Sequence, residues 1–209
     1  MSVLPKYNYE VAKCSVRIRL PKLKVAIYGL TSEGYGLAAD LVEKSQVTIV
    51  DETLQMAQDL DAAFMKKNPD LEELMNSEPL LSVKPLERVL GDAQVVFFTP
   101  RLRRPTEESL IEAGIKLREL ARYLSKDVTL VNTLPTGPGG NSENIALLEK
   151  QTGLRVGESL TYAYAPLRPR DTRPVVVSTA GVREKSPLEA LGFGQSSQNV
   201  FAAELEYAS

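Results

Sequence analysis

The chain has 209 residues, a length that fits one domain of ordinary size with some extra at the ends and is too short for two large domains. Hydrophobic residues make up 43% and charged residues 25%, the balance of a folded globular protein and not of a disordered or fibrous one. The formal net charge of -2 creates no overall field that favours nucleic acid or an anionic membrane, so neither is predicted as a partner.

Residues 1–23 form an N-terminal extension in which Val16, Ile18 and Leu20 alternate with polar residues. A period of two is typical of a strand with one apolar face, so the extension is predicted to be an edge strand or a strap over the sheet; an interaction arm is the alternative. Cys14, the one cysteine of the chain, cannot form an intramolecular disulfide and is predicted to be a buried structural thiol.

Residues 24–180 alternate short apolar runs with longer amphipathic stretches, which is the pattern of repeated βα units around a parallel sheet. The predicted strands are 24–29, 46–50, 80–83, 94–99, 128–132 and 159–165, with a further candidate at 174–179. The predicted helices are 35–44, 54–67, 71–75, 86–90, 107–124 and 143–150. The sequence therefore predicts a Rossmann-type, doubly wound, mainly parallel α/β sheet with helices on both faces.

Residues 181–209 are predicted to be a separate C-terminal segment. Ser186, Pro187 and Glu189 combine a helix N-cap, a first-turn proline and a capping-box glutamate, so a short helix is predicted to begin at Pro187. Residues 192–199 are rich in Gly, Ser and Gln and are predicted to be a linker.

The first predicted strand leads into a loop from Gly29 to Gly36 and then into a helix. Glycines at such a junction let the backbone approach a pyrophosphate, and the helix N-terminus supplies amide donors. The usual fingerprint places three glycines over six residues, whereas Gly29 and Gly36 are seven apart, so residues 31–33 are predicted to lengthen the loop. Glu33 is expected to oppose diphosphate binding. The predicted cofactor contacts here are Gly29, Thr31, Ser32, Gly34, Tyr35 and Gly36.

The second predicted strand ends at Asp51, which follows Gly29 by 22 positions. That spacing is close to the roughly 20 residues at which an acidic side chain meets the adenosine ribose hydroxyls of a dinucleotide, and it favours NAD over NADP. The alternative is that Asp51 caps the helix that follows it.

Histidine is absent from the chain, which removes the commonest zinc ligand and general base, and no metal site is predicted. No apolar run approaches the ~20 residues that cross a bilayer, and the amino terminus lacks the apolar segment of a secretory signal. The expectation is a cytoplasmic protein without a membrane partner.

Five stretches, in the same order along the chain, resemble the amino-terminal domain of the UDP-glucose/GDP-mannose (nucleotide-sugar) dehydrogenase family. They are residues 34–37 with Asp51, residues 92–100, the turn Asn132-Thr-Leu-Pro-Thr-Gly137, residues 156–158 with 164–166, and residues 203–205 with 207–208. The resemblance covers roughly residues 24–208 and implies an NAD cofactor with contacts from Thr99, Pro100 and Thr133. It also implies a nucleotide-sugar or another phosphate-bearing ligand.

The resemblance further implies an incomplete active site. The family oxidises a sugar alcohol to an acid through a thioester on a cysteine, and the position of that cysteine lies beyond residue 209. Where the family has a Pro-Glu pair, this sequence has Pro166 and Leu167, and leucine can neither hold a proton nor orient water. Thr133 is the one matched catalytic position that is retained, so independent dehydrogenase activity is not expected.

Two basic clusters follow predicted strands, and they consist of Arg101, Arg103 and Arg104 and of Arg168, Arg170 and Arg173. Ligands of a doubly wound sheet bind beyond the carboxyl ends of its strands, so both clusters are expected to border that crevice. Guanidinium groups pair with phosphate, which predicts an anionic ligand at Arg101, Arg103, Arg168 and Arg170; the alternative is solvated or surface-paired arginines. No interleaved aromatic residues accompany the arginines, which argues against nucleic acid.

Three functions stay open from the sequence. The first is the cofactor-binding part of a nucleotide-sugar dehydrogenase whose substrate domain belongs to a longer chain or to a partner chain. The second is a binding subunit without catalysis, which Leu167 favours, and the third is a scaffold, which a lengthened glycine loop favours. A second copy or another chain is a candidate partner in each case.

Overall fold

The computed structural model describes residues 22–51, 86–102, 107–167, 178–180 and 187–193. The strands in these residues are β1 (Leu23–Tyr28), β2 (Ser45–Val50), β3 (Val95–Phe98), β4 (Thr129–Asn132), β5 (Thr161–Tyr164) and β6 (Ser178–Ala180). They form one sheet in the order β2-β1-β3-β4-β5-β6. The chain therefore crosses from one side of β1 to the other between β2 and β3.

The first five strands run parallel, and β6 pairs antiparallel with β5. Ile27 in β1 lies opposite Ile49 on one side and opposite Phe97 on the other. Strand β3 is buried along its whole length. A strand covered on both faces needs no polar side, and this explains why Val95–Phe98 is an uninterrupted apolar run.

The helices are α1 (Ser32–Leu41), α2 (Leu86–Asp92), α3 (Glu107–Ala121), α4 (Gly140–Thr152) and α5 (Pro187–Ala190). Alternate residues of β1 point to two hydrophobic clusters, one on each face of the sheet. Ile27 packs in the cluster that contains residues of α1 and α5, and Tyr28 packs in the cluster that contains residues of α2, α3 and α4. Helices thus cover both faces of the sheet. The predicted Rossmann-type, doubly wound, mainly parallel fold is confirmed.

Six helix boundaries differ from the prediction by two or three residues, and the two helix starts among them have a local cause. Helix α1 begins at Ser32 and not at residue 35, because Thr31 caps it there. Helix α4 begins at Gly140 and not at residue 143, since Gly139 takes a left-handed φ of 78° at the N-cap and redirects the chain. Helix α3 ends at Ala121, before the predicted residue 124. The predicted start of α5 at Pro187 is confirmed.

Other predictions lie outside the described residues. These are the strand at 80–83, the helices at 54–67 and 71–75, the alternation at 16–20, Cys14, most of the 192–199 linker, and Arg103, Arg104, Arg168, Arg170 and Arg173. The division of the chain at residues 23/24 and 180/181 stays a prediction. Within the ranges described above, no helix is long and apolar enough to cross a membrane.

Candidate cofactor site

The junction between β1 and α1 is built on two glycines. Gly29 has φ of 117°, and a Cβ placed on it would lie 2.0 Å from the backbone oxygen of Thr99. A Cβ on Gly34 would lie 2.7 Å from the backbone oxygen of Gly29. A side chain at either position would therefore collide with backbone, and the two glycines let the first turn of α1 lie directly against the ends of β1 and β3.

The glycine loop has the ordinary length, which corrects the prediction of a lengthened loop. Gly29 and Gly34 occupy the first and third glycine positions of the six-residue fingerprint, with Thr31 in the place of the second. Ser32 and Glu33 belong to α1, and Gly36 lies further along the same helix. The prediction failed because it took Gly36 for the last fingerprint position.

Thr31 is the N-cap of α1. Its backbone is extended, with φ of -121° and ψ of 164°, and its hydroxyl oxygen accepts a hydrogen bond of 3.0 Å from the Gly34 amide. One first-turn donor is thus satisfied by a side chain of the loop itself. The fingerprint places its second glycine here so that a pyrophosphate can come close, and the threonine side chain narrows that approach.

Asp51 connects the end of β2 to the glycine loop. Its side chain is buried, and Oδ2 accepts a hydrogen bond of 2.7 Å from the Leu30 amide. The Gly29 amide also donates to the Val50 carbonyl over 2.8 Å. The carboxylate therefore fixes the loop, a role that the sequence analysis missed because no sequence signal shows which amide a strand-end carboxylate will meet. The predicted alternative, a helix cap for the residues after Asp51, lies outside the described residues.

A cavity of about 500 Å³, here called the crevice, opens where β1, β3, β4 and β5 end. Its lining residues are Thr31, Glu33, Thr99, Pro100, Arg101, Leu102, Ser109, Thr133, Leu134, Pro135 and Leu167. The volume lies in the range of about 300–1,000 Å³ that is usual for small-molecule sites. The position is the topological switch point of the sheet, where doubly wound proteins bind ligands.

Two of the three threonines that line the crevice, Thr99 and Thr133, donate their hydroxyl protons within the protein. Thr133 Oγ1 donates to the Phe98 carbonyl over 2.7 Å, and Thr99 Oγ1 donates to the Tyr28 carbonyl over 3.1 Å. Each side chain ties the end of its strand to the neighbouring strand. In this arrangement Thr133 can position a neighbour or accept a hydrogen bond, but its hydroxyl proton is already committed.

Two of the described residues that line the crevice are ionisable. Glu33 lies in the first turn of α1, and Arg101 follows β3 with its side chain exposed. They bring one charge of each sign to the same cavity. Of the four arginines predicted to meet an anion, Arg101 is the one that the described residues include.

Leu167 forms part of the crevice wall and of the hydrophobic core. Its side chain is 7% exposed, and its amide donates to the Thr133 carbonyl over 2.9 Å. A buried alkyl group supplies no proton acceptor here. Glu33 is accordingly the one carboxylate among the described residues that line the crevice.

Comparison with known proteins agrees with this architecture at the level of fold. No family model and no curated protein matches the chain. The solved NDP-N-acetyl-D-galactosaminuronic acid dehydrogenase from Methanosarcina mazei Go1 aligns with 75% of this chain and 39% of its own, at 18% identity and a TM-score of 0.52. The GDP-mannose dehydrogenase from Pseudomonas aeruginosa aligns with 75% of this chain and 40% of its own, at 16% identity and a TM-score of 0.52.

A conserved hypothetical protein from Sinorhizobium meliloti 1021 is also similar, with 87% of this chain and 54% of its own aligned at 16% identity and a TM-score of 0.55. At these identities the likeness shows a Rossmann-like α/β fold shared with nucleotide-sugar dehydrogenases. The chain spans about two fifths of the length of the two dehydrogenases.

Proposed function

We propose that this chain binds a dinucleotide of the NAD type and serves as the cofactor-binding part of a dehydrogenase related to the nucleotide-sugar group. The observation that carries the proposal is the pair Gly29 and Gly34, which press the first turn of α1 against the strand ends beside a 500 Å³ crevice. Backbone amides and the helix dipole then favour a diphosphate at this turn. The fold shared with the two dehydrogenases supports the same reading.

Asp51 supports NAD over its 2′-phosphorylated form. The carboxylate lies at the end of β2, the strand next to β1, and its bond to the Leu30 amide holds it beside the glycine loop. A carboxylate offers about four acceptor positions, so it can accept from a ligand hydroxyl as well as from the Leu30 amide. Its negative charge would repel a ribose phosphate, whereas ribose hydroxyls would donate to it.

We propose that the chain does not oxidise an alcohol by itself. Oxidation of an alcohol by NAD removes a hydride to the cofactor and a proton to a base. Among the described crevice residues the candidate base is Glu33, in the first turn of the helix that would face the diphosphate, and Leu167 stands where the resembled family has its acid. Arg101 would face the anionic part of a nucleotide-sugar or of the cofactor.

A binding or scaffold subunit without catalysis is the second candidate, and Thr31 favours it. The hydroxyl of Thr31 occupies the first turn through its bond to the Gly34 amide, which leaves less room for a diphosphate than glycine would. The two candidates differ in whether the dinucleotide binds at all.

Calorimetric titration of the full chain with NAD and with NADP tests the proposal. We expect saturable heat on addition of NAD, a higher affinity for NAD than for NADP, and a rise in the unfolding temperature when NAD is bound. The variant Asp51→Asn should lose the preference for NAD, and Asp40→Asn, on the exposed side of α1, serves as the matched control. If millimolar NAD produces no heat and no thermal stabilisation, NAD binding is refuted and the scaffold candidate remains.

A further inference from the structure

Helix α3 carries an exposed apolar strip. The described residues hold four exposed large hydrophobic side chains, and all of them lie on α3 or within two residues of its end: Leu110 is 56%, Ile111 68%, Ile115 50% and Tyr123 37% exposed. Single exposed apolar residues are normal, whereas a contiguous group of them marks an interaction site. Leu110, Ile111, Gly114 and Ile115 are here called the α3 strip.

The packing of α3 onto the sheet does not use the strip. Leu117 and Leu120 of α3 are buried in the cluster that covers this face of the sheet. Ile111, Ile115 and the exposed Arg118 follow one another at spacings of four and three residues, which aligns them along the opposite side of the helix. That spacing is typical of a helix face that packs against a second helix.

Gly114 leaves a gap in the middle of the strip. No atom lies within 4 Å of the position that a Cβ would take there. Glycine weakens the interior of a helix relative to alanine, so the formation of α3 itself does not explain this residue. When a second helix lies against the strip, a side chain of the size of Ile115 can enter the gap.

The charges of α3 indicate what kind of helix fits. The sequence divides them between the two halves, with Glu119 as the exception: Glu107, Glu108 and Glu112 come first, and Lys116, Arg118 and, just after the helix, Arg122 follow. An antiparallel copy of α3 sets each acidic half against a basic half and opposes the two helix dipoles. A parallel copy would bring like charges together.

We infer that the α3 strip is the contact through which two copies of this chain associate, with their α3 helices antiparallel about a twofold axis between Gly114 and Ile115. Ile115 of each copy enters the gap at Gly114 of the other copy, and Ile111 lies along the apolar stem of Arg118 of the other copy. A twofold contact covers the same strip on both copies. The inference does not rest on the proposed cofactor function.

The size of the strip limits the strength of the association. Helix α3 has 15 residues and is therefore about 22 Å long. A contact centred on one helix of this length belongs to the small interfaces, which bury less than about 1,200 Å² in total. We therefore expect a reversible dimer with a dissociation constant of about 1 µM or weaker.

Sedimentation velocity of the full chain, at concentrations from about 5 to 500 µM, tests the association. A concentration-dependent equilibrium between monomer and dimer is expected. Ile115→Ser should weaken the dimer at least about tenfold, because both copies lose the side chain that fills the gap. Tyr123→Ser is the matched control, since it removes an exposed apolar group that lies outside the strip, and it should leave the equilibrium unchanged.

Cysteine cross-linking tests the antiparallel direction. Ile111→Cys and Arg118→Cys place their thiols opposite each other across the proposed axis, so oxidation of an equal mixture should join the two variants, with much less cross-linking of either variant alone. Mass spectrometry of the joined peptides distinguishes these thiols from Cys14. The reverse cross-linking pattern, or a dimer that Ile115→Ser does not weaken, would overturn the inference.

A chain that stays monomeric at every concentration would also overturn it. Alkylation of Ile115→Cys in that monomer would then identify what covers the strip. Slow alkylation would assign the strip to another segment of the same chain, and fast alkylation would leave it open to solvent.

Discussion

Replacing Gly34 by alanine tests the contact on which the candidate cofactor site depends. The added Cβ would lie 2.7 Å from the Gly29 carbonyl oxygen and 3.0 Å from Thr99 Oγ1, so α1 must move away from the sheet. Overpacking of this kind costs about 1–3 kcal/mol, and exchanging glycine for alanine in a helix returns about 0.5–1 kcal/mol. A net loss of about 1–2 kcal/mol is expected, together with weaker NAD binding because the first turn has shifted.

Gly114→Ala is the matched control, because it places the same methyl group on a helix where no atom lies within 4 Å. This variant should gain about 0.5–1 kcal/mol from the reduced entropy of the unfolded chain. Urea denaturation measures both variants, and at a slope of about 2 kcal/mol/M each 1 kcal/mol moves the midpoint by about 0.5 M. If both variants gain stability to the same extent, α1 does not press against the loop and the reasoning is refuted.

Three further substitutions address the loop and the buried tyrosine. Asp51→Asn should cost about 1 kcal/mol in urea denaturation, because a neutral amide oxygen replaces the charged acceptor of the Leu30 amide. Thr31→Gly restores the second fingerprint glycine and should raise NAD affinity in calorimetry while costing only a few tenths of a kcal/mol, about what glycine costs at an N-cap. Tyr162→Phe leaves Asn141 Oδ1 without its donor and should cost about 1–3 kcal/mol, whereas Tyr123→Phe, at an exposed position, should be neutral.

The pH dependence of stability gives an independent measurement on Tyr162. Its pKa is raised by burial to about 12 from 10.0, so the unfolded chain loses the phenolic proton first. The stabilisation is complete below pH 10 and is lost as the pH rises from 10 to 12. Subtracting the profile of Tyr162→Phe isolates this loss, which should reach about 2 kcal/mol near pH 12. Parallel profiles for the native chain and the variant would contradict the assignment of a buried, neutral phenol.

The sheet was predictable because its strands are apolar runs of the right length between turn residues. β1 to β5 were each found within a few residues, since burial on both faces imposes one pattern whatever lies beside the strand. Helix α4 began earlier than predicted because Gly139 and Gly140 look like helix breakers, yet one of them is the N-cap and the other packs against Thr136. Local propensity carries no information about such tertiary contacts.

The location of the candidate site was predictable from the sequence, but its hydrogen bonds were not. The glycine loop and Asp51 were identified from their spacing, which depends on the geometry of one βαβ unit. Two hydrogen bonds of the site, from the Leu30 amide to Asp51 and from Thr133 Oγ1 to the Phe98 carbonyl, join residues that are 21 and 35 positions apart. These bonds form only when the strands have packed into the sheet.

The contact between Gly29 and Thr99 also constrains how the crevice changes shape. The backbone of the loop touches the backbone at the end of β3, and Thr99 donates its amide to Tyr28 over 2.9 Å. The beginning of α1 and the exit of β3 must then move as one piece. The exits of β4 and β5 are held in the same way, by the bonds of Thr133 to Phe98 and to Leu167, so we expect a bulky guest to be admitted by movement of lining side chains and not by separation of the strand ends.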